Sequence, residues 1–322
     1  MRRPSPTQAH RLFLLLLRGG LVSFALLFAF TGAFAAPIPP PVDGTGFLAQ
    51  GEYVYEDREN GLWLYMSPTL KIRIERHEDK AKKLTWLEAE IWAKEPEVFD
   101  LIAQNPEKPF KDTAHMDAIA RRNGSVFAMT SDFAHFRVKQ GTAPGILIRD
   151  GVILTEKTRS KKSTAFPNLD TLALFADGDM RVYEFDELSA QAYLDMGAVD
   201  VLSFGPVLVR DGQINEEDTS RYGRGRDPRT GIGMFEKGHY LAVMAEGRRN
   251  ETKGMNIAML AQLFLDRGCS LAFNLDGGQS ACMVFMGTQI SHSGKTQSLT
   301  AKARTIAEIF AIGKSDTVLA MQ

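Results

Sequence analysis

Short apolar runs separated by Asp-Gly pairs recur along this sequence and restrict its fold more than any other feature. Two such runs flank residues 150–151 in GILIRDGVIL, and the same arrangement surrounds residues 177–178 and 211–212. Asp-Gly between apolar runs favours a two-residue turn that joins antiparallel strands. A related turn is expected at residues 236–238. Most strands should therefore pair with the next strand in the chain.

Three segments have helical patterns instead. Residues 112–124 and 189–197 are short, whereas residues 255–268 place apolar side chains on one face and end at a glycine. Helices that occur between groups of strands predict an α+β (mixed α/β) fold. We expect one mostly antiparallel mixed sheet that packs against helices within a single domain.

One predicted strand has a pattern that does not fit a simple core face. In KLTWLEAEIW, strict alternation places Glu88 and Glu90 on the same face as Leu84, Trp86 and Trp92. Two acids on an apolar face lead us to expect a bulge or an irregular turn that resets the register.

The first 36 residues have the pattern of an export signal. Three arginines precede the apolar runs 12–17 and 21–30, and AFAA at 33–36 fits a cleavage site. An uncleaved membrane anchor is the alternative, because the apolar part is about 18 residues, near the lower limit for a spanning helix. We expect an exported protein of the periplasm or cell envelope. The predicted division is 1–36 signal or anchor, 37–80 linker and leading strands, 81–314 main domain and 315–322 tail.

The charge balance argues against a nucleic-acid partner. The chain has 38 basic and 39 acidic residues and no dense block of lysine or arginine, so it has no field that would attract a polyanion. Its two cysteines, Cys269 and Cys282, fit either a disulfide or two buried thiols. The oligomeric state is not indicated.

Four segments place acids, arginines and glycines at the ends of apolar runs, three after a run and the one with Arg229 directly before a run. Each also fits an ordinary turn or cap, but polar groups between core strands must be paired or functional. Ligand sites often form where several strand ends converge. The candidate residues are Asp132, Arg229, Thr230, Glu246, Gly247, Arg248, Asn274, Asp276, Gly277, Gly278 and Ser280.

Three acids and two arginines in these segments indicate a class of chemistry. Carboxylates can transfer protons or stabilise a glycosyl cation, and Arg229 and Arg248 can neutralise a phosphate. Asp276 is the leading acid, base or nucleophile, with Asp132 or Glu246 as its partner. Three carboxylates can also bind a divalent cation, Ca²⁺ or Mg²⁺. The expected partner is a glycan or sugar phosphate.

The order of several motifs resembles the phosphodiester glycosidase family. FGPVLVRDGQI, DPRTGIG, AEGR, GMNIAMLAQLFLDRGC and FNLDGGQSACMVFMG carry the resemblance, and AMTSDF…GILIRDG resembles the first motif of the family. The resemblance covers roughly residues 84–313. It implies a glycoside hydrolase that acts on a sugar phosphodiester or a related envelope glycan. The positions that match family motifs are Asp132, Arg229, Thr230, Gly247, Arg248, Asp276, Gly277, Gly278 and Ser280.

Three positions depart from the family pattern. Gln279 occupies the place of a third glycine, Glu246 the place of an aspartate, and residues 130–131 the place of Asn-Gly. These changes leave two alternatives open: a non-catalytic envelope polysaccharide-binding protein on the same scaffold, and a structural envelope protein held by its N-terminal helix.

Overall fold

A computed structural model describes residues 42–95, 98–134, 137, 145–157, 169–216, 219, 223–292 and 301–321. The predicted export segment lies outside these residues. Within them, no helix is long and apolar enough to cross a membrane. The predicted domain boundaries and the exported location remain predictions.

Strands dominate the architecture. In chain order they are β1 (Tyr53–Asp57), β2 (Leu62–Met66), β3 (Leu70–Asp79), β4 (Leu84–Ala93), β5 (Phe99–Ala103), β6 (Ser125–Thr130), β7 (Gly145–Arg149), β8 (Val152–Lys157), β9 (Asp170–Phe175), β10 (Met180–Tyr183), β11 (Ala198–Phe204), β12 (Val207–Arg210), β13 (Gln213–Ile214), β14 (Arg229–Glu236), β15 (His239–Ala245), β16 (Leu271–Leu275), β17 (Met283–Phe285), β18 (Thr288–Gln289) and β19 (Glu308–Lys314). The helices are α1 (Met116–Arg122), α2 (Ala190–Asp195), α3 (Ile257–Arg267) and α4 (Asp316–Leu319).

The strands form three sheets. The first has nine strands in the order β1-β2-β3-β4-β15-β14-β16-β12-β13, the second has the order β10-β9-β11-β7-β8, and the third β18-β17-β6-β19-β5. Strand pairs throughout the described residues are antiparallel, as the Asp-Gly pattern predicts. The expected single mixed sheet is corrected to three antiparallel sheets, and the fold is mostly β.

The main apolar core takes side chains from all three sheets, and a second core lies between the first sheet and α3. Asn256 caps the start of α3 by accepting a hydrogen bond from the amide of Met259, and Gly268 ends the helix in the left-handed region. Both faces of the first sheet are thus covered, so β16 can be apolar on both sides and still end in polar residues.

The prediction of a bulge or irregular turn in β4 is wrong. β4 pairs continuously with β3 and β15 without a register shift. Its two glutamates are accommodated by partners instead: the Glu88 carboxylate accepts from Trp86 Nε1 at 2.7 Å, and the Glu90 carboxylate lies 2.8 Å from His239 Nε2. Pairing of each acid removes the need to turn it away from the sheet face.

The two cysteines are free and buried, which decides between the two alternatives left by the sequence. Cys269 lies in the core beneath α3, and Cys282 lies in a cluster formed with α1. Burial raises the pKa of each thiol to about 12.

Candidate active site

The end of β16 is joined to the end of β6 by direct hydrogen bonds. The amide of Asp276 donates to the carbonyl oxygen of Ser131 at 3.2 Å, and the amide of Ala134 donates to Asp276 Oδ2 at 3.1 Å. Thr230, the second residue of β14, donates its hydroxyl to the carbonyl oxygen of Asp276 at 2.5 Å. Three of the four predicted segments therefore meet at Asp276.

Glycines allow these segments to approach one another at the backbone. A Cβ at Gly277 would lie 2.6 Å from the carbonyl oxygen of Pro228, and the amide of Gly278 donates to that oxygen at 2.8 Å. A Cβ at Gly247 would lie 3.0 Å from Pro228, and one at Gly254 only 2.1 Å from the carbonyl oxygen of Asp227. The third and fourth segments both pack on residues 227–228, which makes the four segments one site.

Arg248 is held across this junction by an acid that sequence reasoning missed. Its Nε and Nη2 donate to the two carboxylate oxygens of Asp227 at 2.7 and 2.8 Å. Its Nη2 also lies 3.1 Å from the position that a Cβ of Gly278 would occupy. Gly278 thus leaves room for the guanidinium two residues after Asp276.

Arg229 has a different environment. Its guanidinium donates to the carbonyl oxygens of Met255 and Gly225, each at 3.3 Å, and it has no ion pair with a carboxylate within the described chain. Burial lowers the pKa of Arg229; nearby Asp227 and Asp276 oppose this shift, and Arg248 adds to it. A partly buried cation without a carboxylate partner can bind an anionic ligand.

Asp276 has a perturbed ionisation. It is 6% exposed, and burial raises the pKa of its carboxyl to about 6. The Ser280 hydroxyl, the amides of Ala134 and Gly277 and the charge of Arg304 oppose this shift. No ion pair with a basic side chain occurs for it in the described ranges. A buried carboxyl near neutrality is suited to acid or base catalysis.

Asp132 has arginine partners other than Arg229 and Arg248. Its carboxylate accepts from Arg137 Nη2 at 3.1 Å and lies 3.7 Å from Arg149 Nη2. Arg149 pairs in turn with Glu308 at 2.7 Å, and Glu308 accepts from the Ser131 hydroxyl at 2.8 Å. This buried ion network holds residues 131–134, which contact Asp276 through the backbone. The predicted catalytic role of Asp132 has not been tested.

Glu246 is surrounded by donors. Its carboxylate pairs with Arg76 at 2.7 Å and Arg249 at 2.8 Å, and it accepts from the His292 amide at 2.9 Å. Burial acts to raise the pKa of Glu246, but His292 and Arg76 outweigh it and the pKa is lowered. The carboxylate is thus kept ionised, which does not favour proton transfer. Its predicted catalytic role is also untested.

The side chain of Asn274 is used within the fold. Its Nδ2 donates to the carbonyl oxygen of Gly205 at 2.7 Å, next to the cis Gly205-Pro206 bond. The Ser280 carbonyl oxygen accepts from the Thr130 hydroxyl at 2.6 Å, which ties the fourth segment to β6 again. The roles predicted for these residues in orienting a sugar remain predictions.

Arg304 is the main residue of this region that the sequence patterns did not indicate. Its Nη2 donates to Gln279 Oε1 at 2.6 Å, and its amide donates to the Gln279 carbonyl oxygen at 3.0 Å. It lies in KARTIAEIF, where no apolar strand precedes it and no glycine follows. Only the contact with the fourth segment places it at the site.

The three predicted acids do not form a ligand set for a cation. Each has separate partners, and among the described residues no group of three or more His, Cys, Asp or Glu side chains could hold a metal ion. The residues present thus do not fit the Ca²⁺ or Mg²⁺ site that three carboxylates had suggested.

Two known proteins are similar in sequence to part of this chain. The protein is 28% identical over 177 residues to the SPbeta prophage-derived uncharacterized protein YomE of Bacillus subtilis (strain 168), which is 54% of this chain and 26% of that protein. It is 31% identical over 103 residues to the human N-acetylglucosamine-1-phosphodiester alpha-N-acetylglucosaminidase, which is 30% of this chain and 20% of the human protein. The chain thus spans about a quarter or less of these relatives.

Two solved structures share the fold. The catalytic domain of the zebrafish N-acetylglucosamine-1-phosphodiester alpha-N-acetylglucosaminidase, auto-inhibited by its pro-peptide, superposes with a TM-score of 0.61 at 18% identity, over 82% of this chain and 88% of that one. A hypothetical protein from Synechocystis superposes with a TM-score of 0.57 at 12% identity, over 77% and 63%.

The family itself follows from a sequence match. The phosphodiester glycosidase family pattern matches residues 118–313. This range contains all the predicted site residues and confirms the resemblance carried by the motifs. On this match, the chain belongs to the phosphodiester glycosidase family.

Proposed function

We propose that the protein hydrolyses the bond between the anomeric carbon of a sugar and the phosphate of a phosphodiester. The supporting observation is the position of Asp276, a buried carboxyl without a basic ion-pair partner among the described residues. Two arginines lie near the loop of Asp276. The charge of Arg229 interacts with that of Asp276, and Arg248 lies against Gly278 of the same loop. A carboxyl next to two arginines fits a reaction in which a phosphate leaves a glycosyl centre.

Each group has a distinct task in this proposal. A phosphate ester is a weak base, so its departure depends more on neutralisation by Arg229 and Arg248 than on proton donation. Asp276 in its ionised form takes a proton from water while the water oxygen bonds to the anomeric carbon. The bond from that carbon to the phosphate oxygen breaks, and its electron pair leaves on the phosphate. If Asp276 itself attacks instead, the first product anomer is retained rather than inverted, which NMR distinguishes.

We assign Asp132 and Glu246 positioning roles rather than proton transfer. Asp132, with Arg137 and Arg149, fixes the loop whose Ala134 amide contacts Asp276. Glu246 joins Arg76 and Arg249 directly before Gly247 and Arg248. Carboxylates saturated by arginines support the geometry of neighbouring groups and are poor proton carriers.

An N-acetylglucosamine-1-phosphodiester is the first substrate to test, because the human relative is named for that bond. Release of free sugar by the purified protein is measured for the wild type and for Asp276→Asn. We expect a loss of about 10²- to 10⁴-fold, the usual contribution of a positioned acid or base. Asp195→Asn, at an exposed position of α2, is the control and should retain full activity. Equal turnover by Asp276→Asn would remove this residue from the mechanism.

The pH dependence of the reaction tests the protonation state. The pKa of Asp276 is raised to about 6, so a base in this position loses activity below that pH. We expect kcat/KM to fall about tenfold per pH unit below pH 6. Activity that rises on acidification would instead assign Asp276 as the general acid.

Tight binding of the sugar phosphodiester without release of sugar would support the alternative, a non-catalytic envelope polysaccharide-binding protein. Calorimetry of the same substrate with the wild-type protein separates the two outcomes. Gln279, which places a side chain where the family resemblance has glycine, is the feature that keeps this alternative open.

We also propose export to the periplasm or cell envelope through the N-terminal segment, either as a cleaved signal or as a membrane anchor. The supporting pattern is the arginine-flanked apolar run followed by AFAA. Fractionation of cells that express the full chain, with mass spectrometry of its N-terminus, tests this. An intact N-terminus in the cytoplasmic fraction would contradict export.

A further inference from the structure

Gln279, three residues after Asp276, forms a polar pair with Arg304. The pair is fixed twice, because Arg304 Nη2 donates to Gln279 Oε1 at 2.6 Å and the Arg304 amide donates to the Gln279 carbonyl oxygen at 3.0 Å. A side-chain contact supported by a backbone contact between the same residues has little freedom to separate. Both side chains are half-buried, so they face the loop surface as well as one another.

The chemistry of the pair fixes which way the amide points. A guanidinium only donates hydrogen bonds, so the oxygen of Gln279 must face Arg304 and its Nε2 must face elsewhere. Within the part of the chain that the structure describes, Nε2 has no acceptor, and Arg304 makes no ion pair with a carboxylate. The pair therefore offers unused N–H groups from two adjacent side chains.

The position of the pair relates these donors to the proposed reaction. The charge of Arg304 acts on Asp276, and Arg248 Nη2 lies 3.1 Å from the position that a Cβ of Gly278 would occupy. Two arginines thus lie against consecutive residues of this loop, Arg248 at Gly278 and Arg304 at Gln279. The unused donors of Arg304 are additional to those of Arg229 and Arg248, the two arginines that the proposed function assigns to the phosphate.

We propose that Gln279 and Arg304 form an oxyanion-binding pair beside Asp276. The pair selects substrates whose phosphate, or an acidic group next to it, reaches these two side chains. The inference rests on the proposed function and extends it. Arg304 is a binding residue, and Gln279 both positions Arg304 and donates through Nε2. A glycine at position 279 would leave Arg304 without its side-chain partner, so the pair makes anion recognition depend on a side chain that the family motif lacks.

Binding is measured by calorimetry on the full chain with two probes, N-acetylglucosamine-1-phosphate and uncharged N-acetylglucosamine. We expect Arg304→Gln to weaken binding of the phosphorylated probe about 10- to 100-fold, as expected for loss of charge-assisted hydrogen bonds. Gln279→Gly should weaken it about 3- to 10-fold. Binding of the uncharged sugar should change less than twofold in both variants.

Two further variants separate recognition from folding. Arg304→Lys keeps the charge and should recover part of the affinity, whereas Arg73→Gln removes an exposed arginine of β3 and should change nothing. Melting temperatures of all variants show whether a loss of binding follows from unfolding. The proposed oxyanion-binding role would be wrong if Arg304→Gln weakened the binding of both probes equally, or if it left the affinity for the phosphorylated probe unchanged.

The outcomes also separate this inference from the proposed function. If Arg304→Gln keeps its turnover with an unchanged KM, the proposal that Gln279 and Arg304 bind an oxyanion is wrong, and the proposed hydrolase activity still holds. Selective loss of phosphate affinity without any turnover by the wild type supports the pair and overturns the hydrolase. Failure of the wild type to bind the phosphorylated probe overturns the pair, and it overturns the hydrolase as well only if the wild type also releases no sugar from the phosphodiester.

Discussion

Two buried carboxylates follow the apolar strands that lie on either side of β14, and they have opposite environments. Glu246 follows β15, is neutralised by Arg76 and Arg249, and accepts a hydrogen bond from the His292 amide. Asp276 follows β16 and has backbone amides and a nearby hydroxyl but no paired cation among the described residues. The pKa of the first is lowered and that of the second is raised to about 6. Identical placement in the sequence pattern therefore does not define a role; the neighbouring charges do.

Neutral substitution of the two acids gives the largest expected contrast. Glu246→Gln leaves buried Arg249 and half-buried Arg76 without their shared anion, and we expect a loss of about 3 to 5 kcal/mol in the free energy of unfolding. Asp276→Asn removes a charge that burial disfavours, so stability should stay the same or rise. Urea denaturation at pH 7 measures both. Equal destabilisation by the two changes would remove the distinction.

The pH dependence of stability sharpens the same contrast. The folded state keeps the proton of Asp276 up to about pH 6, whereas an unperturbed aspartate has a pKa of 3.8, so stability falls as pH rises between these values, by roughly 3 kcal/mol at most. Glu246 has the opposite sign: it stabilises above the ordinary glutamate pKa of 4.5, and this contribution is lost as pH falls through its lowered pKa. Denaturation from pH 3.5 to 7.5 measures the slopes.

The slope assigned to Asp276 should be absent in Asp276→Asn and unchanged in Asp195→Asn. A wild-type curve identical to that of Asp276→Asn across this range would mean that the pKa of this carboxyl is not raised.

The backbone junction that brings Asp276 to the arginines gives a third and smaller test. Gly254 and Gly212 both have positive φ, 85° and 70°, but a Cβ at Gly254 would meet the Asp227 carbonyl oxygen at 2.1 Å, and one at Gly212 would meet nothing within 4 Å. Gly212→Ala reports the cost of the backbone conformation alone. We expect Gly254→Ala to cost about 1 to 3 kcal/mol more, as in overpacked sites.

Thermal denaturation of the two glycine variants measures this difference, and substrate release is measured alongside. Because residues 227–228 support Arg248 and Gly277, Gly254→Ala should also reduce activity, whereas Gly212→Ala should not. Equal stability of the two variants would mean that the junction yields to an added methyl group at no cost.

Local patterns predicted much of the fold. The Asp-Gly turns, α3 with its end at Gly268, and β16 follow from apolar spacing and turn residues, which act over a few positions. The division into three sheets did not follow, because sheet membership depends on pairings between distant strands. The bulge in β4 was predicted wrongly because the partners of Glu88 and Glu90 could not be read from the alternation of the strand alone.

The candidate site shows the same limit. Acids and glycines at strand ends indicated loops that meet in the structure at Asp276 and Pro228, whereas the roles of these residues stay predictions. The pairing of Asp227 with Arg248 and the contact of Arg304 with Gln279 could not be predicted, because these residues are far apart in the sequence and meet only in the folded chain. The spacing of residues along the sequence does not indicate such contacts.

The two free thiols lie in separate packing layers, Cys269 beneath α3 and Cys282 beside α1. Neither can react with a maleimide until its own layer opens. Labelling followed by peptide mapping would therefore time the opening of each layer independently, and would reveal whether the half of the molecule that carries α3 loosens before the half that carries α1.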